Sequence, residues 1–123
     1  MTNFTIDSLN VASINPSIIP QIVDVKASAP GGIEVLFEYH KSMGISYSEG
    51  EKLLLKISSQ KIPPTESLSF CGKATLFSIK QKEGGLVYLF SIGGLILRIS
   101  SPGQIEGLEI TKDYYFCIEK TSQ

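Results

Sequence analysis

Three kinds of side chain in this sequence could do chemistry: a lone histidine, a pair of cysteines and a scatter of carboxylates. His40 is the only histidine in 123 residues, at the end of IEVLFEYH and beside Lys41. Acyl transfer by a Ser-His-Asp or Cys-His arrangement needs the imidazole within hydrogen-bond reach of a nucleophile. Nothing in the spacing around His40 supplies one, so it reads as a solvated strand-end residue. Cys71 and Cys117 are too few for a zinc site or a disulfide framework. MTNFTIDSLN has neither the basic nor the apolar part of a secretory leader, so the setting reads as cytoplasmic. Both thiols are then expected to be reduced and to behave as buried small hydrophobes. The carboxylates come one or two per segment, with no DxD or ExxE cluster for a metal. Glu34 and Glu38 share a strand face, which exposed alternation explains. There is no phosphate-binding GxxxxGK[ST] loop, no GxSxG and no CxxC. No catalytic set, metal site or cofactor motif is expected.

The totals narrow the partners. Eleven Lys+Arg against twelve Asp+Glu leave a net charge of −1, and Arg98 is the only arginine. Proteins held to nucleic acid by phosphate contacts usually carry a basic excess. The hydrophobic share of 42% and charged share of 19% exclude a disordered chain. The length suits one domain over residues 1–123.

The elements that must position these groups are almost all strands, marked by period-two alternation and closely spaced turn residues. Residues 4–14 alternate loosely until Pro16. Residues 18–26, IIPQIVDVK, resume the pattern, with Pro20 tolerable near a strand start or an edge. Gly31-Gly32 turns the chain into IEVLFEYH, where Ile33, Val35, Phe37 and Tyr39 share one face. KSMGISYSEGE, residues 41–51, is an irregular excursion. LLLKIS follows, with Leu53, Leu55 and Ile57 on one side. SSQKIPPTESLS, residues 58–69, is an exposed connection. FCGKATLFSIK, a turn at 82–85 and LVYLFSIGGLILRIS come next. Pro102-Gly103 then leads through QIEGLEIT to DYYFCIEK, in which Tyr114, Phe116 and Ile118 lie opposite Tyr115, Cys117 and Glu119.

About eight short strands with tight connections predict an all-β fold, a closed antiparallel barrel, because closure removes exposed sheet edges. The uncharged run 84–97 is too short to cross a bilayer as a helix, which takes about 20 residues. Its Gly93-Gly94 pair is instead expected at a barrel corner, where backbone without a Cβ can bend sharply. No helix signal follows the pair to make a phosphate site. Small barrels often stack single-stranded bases on exposed rings. Here Phe37, Tyr39, Phe77, Tyr88, Phe90 and Phe116 alternate as core residues, and Tyr39 and Tyr115 are the two rings that could be exceptions. Neither lies in a run of Lys or Arg.

Three blocks in the second half resemble the family of the archaeal RNA polymerase G subunit, the counterpart of the eighth subunit shared by the eukaryotic nuclear polymerases. FCGKATLFSI contains Gly72 after an aromatic and a cysteine. SIGGLILRI is similar to the family's Ser-aromatic-Gly-Gly-Leu-Leu-x-Arg pattern through Gly93, Gly94, Leu95 and Arg98. DYYFCIEK is similar to the closing strand, with Tyr115 in its aromatic pair. Ile92 stands where an aromatic is usual, and Ile96 replaces the second Leu. The connection 58–69 is much shorter than that of eukaryotic members, as suits an archaeal one. Residues 1–50 match in strand pattern and length.

The resemblance implies a barrel in two halves related to the OB-fold. It implies a non-catalytic subunit docked on the largest polymerase subunit, to which the catalytic aspartates and magnesium would belong. Gly72, Gly93, Gly94, Leu95, Arg98 and Tyr115 are the motif residues expected to include partner contacts, with Arg98 suited to a bidentate carboxylate pair. The alternatives are a free-standing OB-type module for single-stranded nucleic acid, and a ligand-carrying barrel or small enzyme with an unfilled interior. The many bulky inward residues speak against the last.

Overall fold

In a computed structural model, which describes residues 3–63 and 69–121, the alternation resolves into eight strands and one short 3-10 turn. The strands are β1 (Asn3–Pro16), β2 (Ile22–Ala29), β3 (Ile33–His40), β4 (Lys52–Ser58), β5 (Ser69–Lys82), β6 (Gly85–Ile92), β7 (Leu95–Ser101) and β8 (Asp113–Lys120). They close into an antiparallel barrel in the order β1-β2-β3-β7-β6-β5-β8-β4, with β4 returning to β1. No α-helix occurs among the described residues. The expected architecture is therefore present.

The order contains a repetition. In the first half, β1 lies between β2 and β4 while β2 pairs with β3. In the second, β5 lies between β6 and β8 while β6 pairs with β7. Each half is thus a Greek key of order 4-1-2-3. Third strand meets third strand (β3 with β7) and fourth meets fourth (β4 with β8). Both first strands are 14 residues long and carry a register shift. Such bulges sharpen the local bend a strand needs to wrap a small barrel.

Inward positions fill the interior. Phe37, Leu53, Leu55, Leu76, Phe90, Leu97 and Ile99 are fully enclosed, as are Phe116 and Ile118. The connectors that leave β3 and β7 add to this core. Since β3 and β7 are antiparallel, those connectors leave from opposite ends of the barrel. Tyr47, on the first, sets its ring edge-on to Phe37 and Tyr39, with centroids 5.2 Å from each. On the second, Ile105 and Leu108 join the core, and the Ile105 N–H donates to the Tyr88 phenolic oxygen at 2.7 Å. Tyr114 holds the same connector from below, accepting from the Glu109 N–H and donating to the Gly107 carbonyl. Buried phenols are satisfied by the backbone of the segments that cover them.

Three expectations are corrected. Residues 18–21 are not strand: β2 begins at Ile22, and Ile18 and Ile19 project into solvent, 101% and 57% exposed. Gln21 takes a positive φ of 71° there, which an extended strand does not allow. Phe77 is not core. It is the extra residue of the β5 bulge, between Leu76↔Phe90 and Ser78↔Leu89, and is 46% exposed. Tyr39, by contrast, is buried as the core reading expected and offers no ring to a base. Finally, the cysteines are not reduced thiols. β5 and β8 pair in a register that sets Cys71 directly opposite Cys117, with Cα atoms 4.1 Å apart, and the two form a disulfide. Cys117 is buried as expected, whereas Cys71 is exposed. The exposed connection 58–69 is accurate for residues 59–61 and 63, whereas Ser58 ends β4 and is buried and Ser69 begins β5; its residues 64–68 lie outside the described residues.

Two measurements follow from this packing. The disulfide spans 46 residues, which in the chain-entropy account is worth roughly 4 kcal/mol. Cys71→Ser should therefore lower Tm by about 10–15 °C without changing the circular dichroism of the folded barrel. An unchanged Tm would show that the bridge contributes nothing. Burial pushes the Tyr47 phenol far above its ordinary value, with nearby Tyr39 and Glu51 adding to the shift. The folded chain thus favours the protonated phenol. Its contribution is intact below the unfolded value of about 10 and is lost as pH climbs past it. Tyr47→Phe should make the fall in Tm above about pH 10 shallower than in the wild type, and parallel declines would refute the assignment.

Candidate functional site

Among the described residues, side chains of the strands and of both connectors occupy the interior, and the outer wall is the surface they leave to solvent. Among the described residues there is no group of three or more His, Cys, Asp or Glu able to hold a metal. No helix there is long and apolar enough to cross a membrane. His40 is a local cap: its Nδ1 accepts from the Ser42 N–H at 3.0 Å and helps form the turn Lys41–Met43.

The six motif residues fall into two groups. Gly93, Gly94, Leu95 and Arg98 lie together on the β6–β7 hairpin. Gly72 is on β5 and Tyr115 on β8, two and three strands round from β7. Gly93 and Gly94 form a two-residue hairpin turn between Ile92 and Leu95, which are paired. Their φ values, 56° and 98°, are both positive, as the tight primed turns that match strand twist require. The pair is therefore a turn rather than a kinked corner. Leu95 packs partly against the core. Gly72 is an inward position beside Phe116, whose ring lies 3.3 Å from where a Cβ would stand. Leaving that space lets Phe116 meet Phe70 edge-on at 5.2 Å. Tyr115, half-buried on the outside, faces its cross-strand neighbour Lys73, whose ammonium lies 5.6 Å from the ring centre. Local packing or pairing accounts for these five.

Arg98 is different. Its strand neighbours Leu97 and Ile99 point into the core, so its side chain points out. Register places it between Leu36 on β3 and Leu89 on β6. All three are half-buried. Ile96 stands beside it on β7 and Val87 diagonally across on β6. Among the described residues no ion pair includes Arg98. Elsewhere among the described residues three lysines are paired, Lys56 with Glu119 at 3.1 Å, Lys120 with Glu51 at 3.2 Å and Lys112 with Glu109 at 3.0 Å, and the lysines without an ion pair are all exposed, unlike Arg98. Glu38 lies diagonal to Arg98 across the β3–β7 seam, but its Oε1 accepts from the Ile96 N–H at 2.9 Å. The β3–β7 ladder ends at Phe37↔Leu97, and this carboxylate takes over where backbone pairing stops.

Beyond that point the seam opens into a groove of about 400 Å³ lined by Ile19, Ile22, Met43 and Leu95 and the Gly93-Gly94 tip. The sequence drew attention to Arg98 and the glycines. Leu36, Leu89 and Ile19 went unnoticed, because outward leucines are read as strand filler until register shows what stands between them.

The model of the family of the DNA-directed RNA polymerase G subunit matches residues 4–121, nearly the whole chain, and the chain belongs to that family. No curated protein gives a significant match.

Gly94 has open space around it, so strain alone opposes a side chain there. Gly94→Val should cost about 1–3 kcal/mol, read as a lower Tm, because a β-branched residue strongly resists a φ of this sign. No change in Tm would mean that the turn can be rebuilt without positive φ.

Proposed function

We propose that this chain, a member of the polymerase G-subunit family and so part of the polymerase complex, is a non-catalytic, architectural subunit docked on the largest subunit. The observation that carries the reading is the family match over residues 4–121, on a barrel whose interior is filled by its own side chains. Such an object presents its outer wall to a partner. Its contribution to transcription is to hold the shape of the assembly, while nucleotide addition belongs to the partner. Its setting is the cytoplasm, where the polymerase works, and it acts as one barrel domain.

Among the motif residues, Arg98, with Leu95 and the Gly93-Gly94 tip beside it, is the proposed contact. Gly72 and Tyr115 belong to another side of the wall. A free-standing barrel for single-stranded nucleic acid is disfavoured, since Tyr39 is buried and Tyr115 is covered by Lys73. That reading predicts tight oligonucleotide binding that falls steeply with salt.

Tagging the chain in its host and identifying what co-purifies at physiological salt tests the proposal. Polymerase subunits are expected in stoichiometric amounts, the largest among them, with oligonucleotide binding by the isolated chain weaker than micromolar. Recovery of the tagged chain without polymerase subunits would overturn it.

A further inference from the structure

The outer face of β2, β3, β7 and β6 carries a row that runs across four strands: Lys26, Leu36, Arg98 and Leu89 are successive register partners. Apolar side chains flank the guanidinium on both sides, with Ile96 next to it along β7. Phe77 continues the apolar surface beyond Leu89, pushed outward by the β5 bulge. Neither Arg98 nor Lys26 has an ion-pair partner among the described residues.

A guanidinium half-buried between leucines loses part of its hydration and has no ion pair among the described residues. It offers a planar fork of donors fitted to a carboxylate, with Leu36 and Leu89 on either side to limit water at the pair, while Glu34 and Glu38 lie at the diagonal positions on β3 and Glu38 is held by the Ile96 N–H. Charge complementarity therefore selects the occupant. We infer that this face binds a segment of another polymerase subunit that presents one aspartate or glutamate between apolar side chains, with the carboxylate on Arg98 and the apolar groups over Leu36, Leu89 and Phe77. The inference rests on the polymerase reading above and names the surface and the chemistry of its partner.

The experiment uses the assembled polymerase, reconstituted with the wild-type chain or with R98A, R98K or K73A. Lys73 lies on a different side of the barrel and serves as the control. R98A should keep the Tm of the free chain within a few degrees and lose affinity for the remaining polymerase about 30-fold or more, as removal of one member of an enclosed charge pair does. R98K should recover part of that loss, and K73A should match the wild type. Zero-length carbodiimide coupling, which joins amines to carboxylates, should link the amine introduced by R98K to an acidic residue of another subunit, identified by mass spectrometry. If R98A binds as tightly as the wild type, or lowers the Tm of the free chain sharply while R98K yields no cross-link, Arg98 serves only to cover its own sheet and the inference is overturned. If the wild-type chain itself fails to join the polymerase, the broader reading falls instead, so the two failures are distinct.

Discussion

Everything in this molecule follows from closing a sheet on itself. An open edge leaves a row of unpaired N–H and C=O groups. Here the first and last strands of the sheet order find each other, and no edge is left. Closure then dictates where side chains go. With eight strands there is room for one layer of inward residues and little else, and aromatic and aliphatic groups take that room. The two connectors complete the enclosure by turning Tyr47, Ile105 and Leu108 into the core. Among the described residues the interior is occupied by these side chains, and the outer wall is the surface the barrel presents.

That constraint explains why the absence of catalytic motifs and the membership in a polymerase subunit family fit together. Three lysines are matched to carboxylates among the described residues, and the others stand exposed in water. Arg98 differs from all of these in being half-buried in an apolar row without an ion pair. Exposed ion pairs contribute little to stability, so the matched charges say little about the fold. The half-buried arginine says more about what meets the surface.

Much of the architecture was legible in the sequence, and the reason is the period of two. Alternation in IEVLFEYH and in LILRIS shows which residues point inward, and the glycine pairs at 31–32 and 84–85 show where strands reverse. What could not be read depends on register between distant strands. Two cysteines 46 residues apart carry no sign that β5 and β8 set them face to face, and a compartment argument then misjudged them. Phe77 looks like core until the bulge moves it out. The stretch 18–21 is apolar enough to pass for strand, but the turn into β2 demands a backbone it could not keep as one. Of the six motif residues the sequence singled out Arg98 as the one suited to a carboxylate; packing adds that the glycines shape the chain and that Arg98 stands between Leu36 and Leu89.

The barrel is not equally firm all round. The two halves meet along a seam of six register pairs between β4 and β8 and one of only four between β3 and β7, the shortest ladder in the structure. The disulfide lies within the second half and spans neither seam. Local opening in proteins starts where the fewest interactions must be broken, which here is the junction between Leu36 and Arg98. A neighbour clasping both residues would act as an external splint on that weak joint. Assembly would then make the subunit sturdier than it is alone, and the isolated barrel would be the form that breathes.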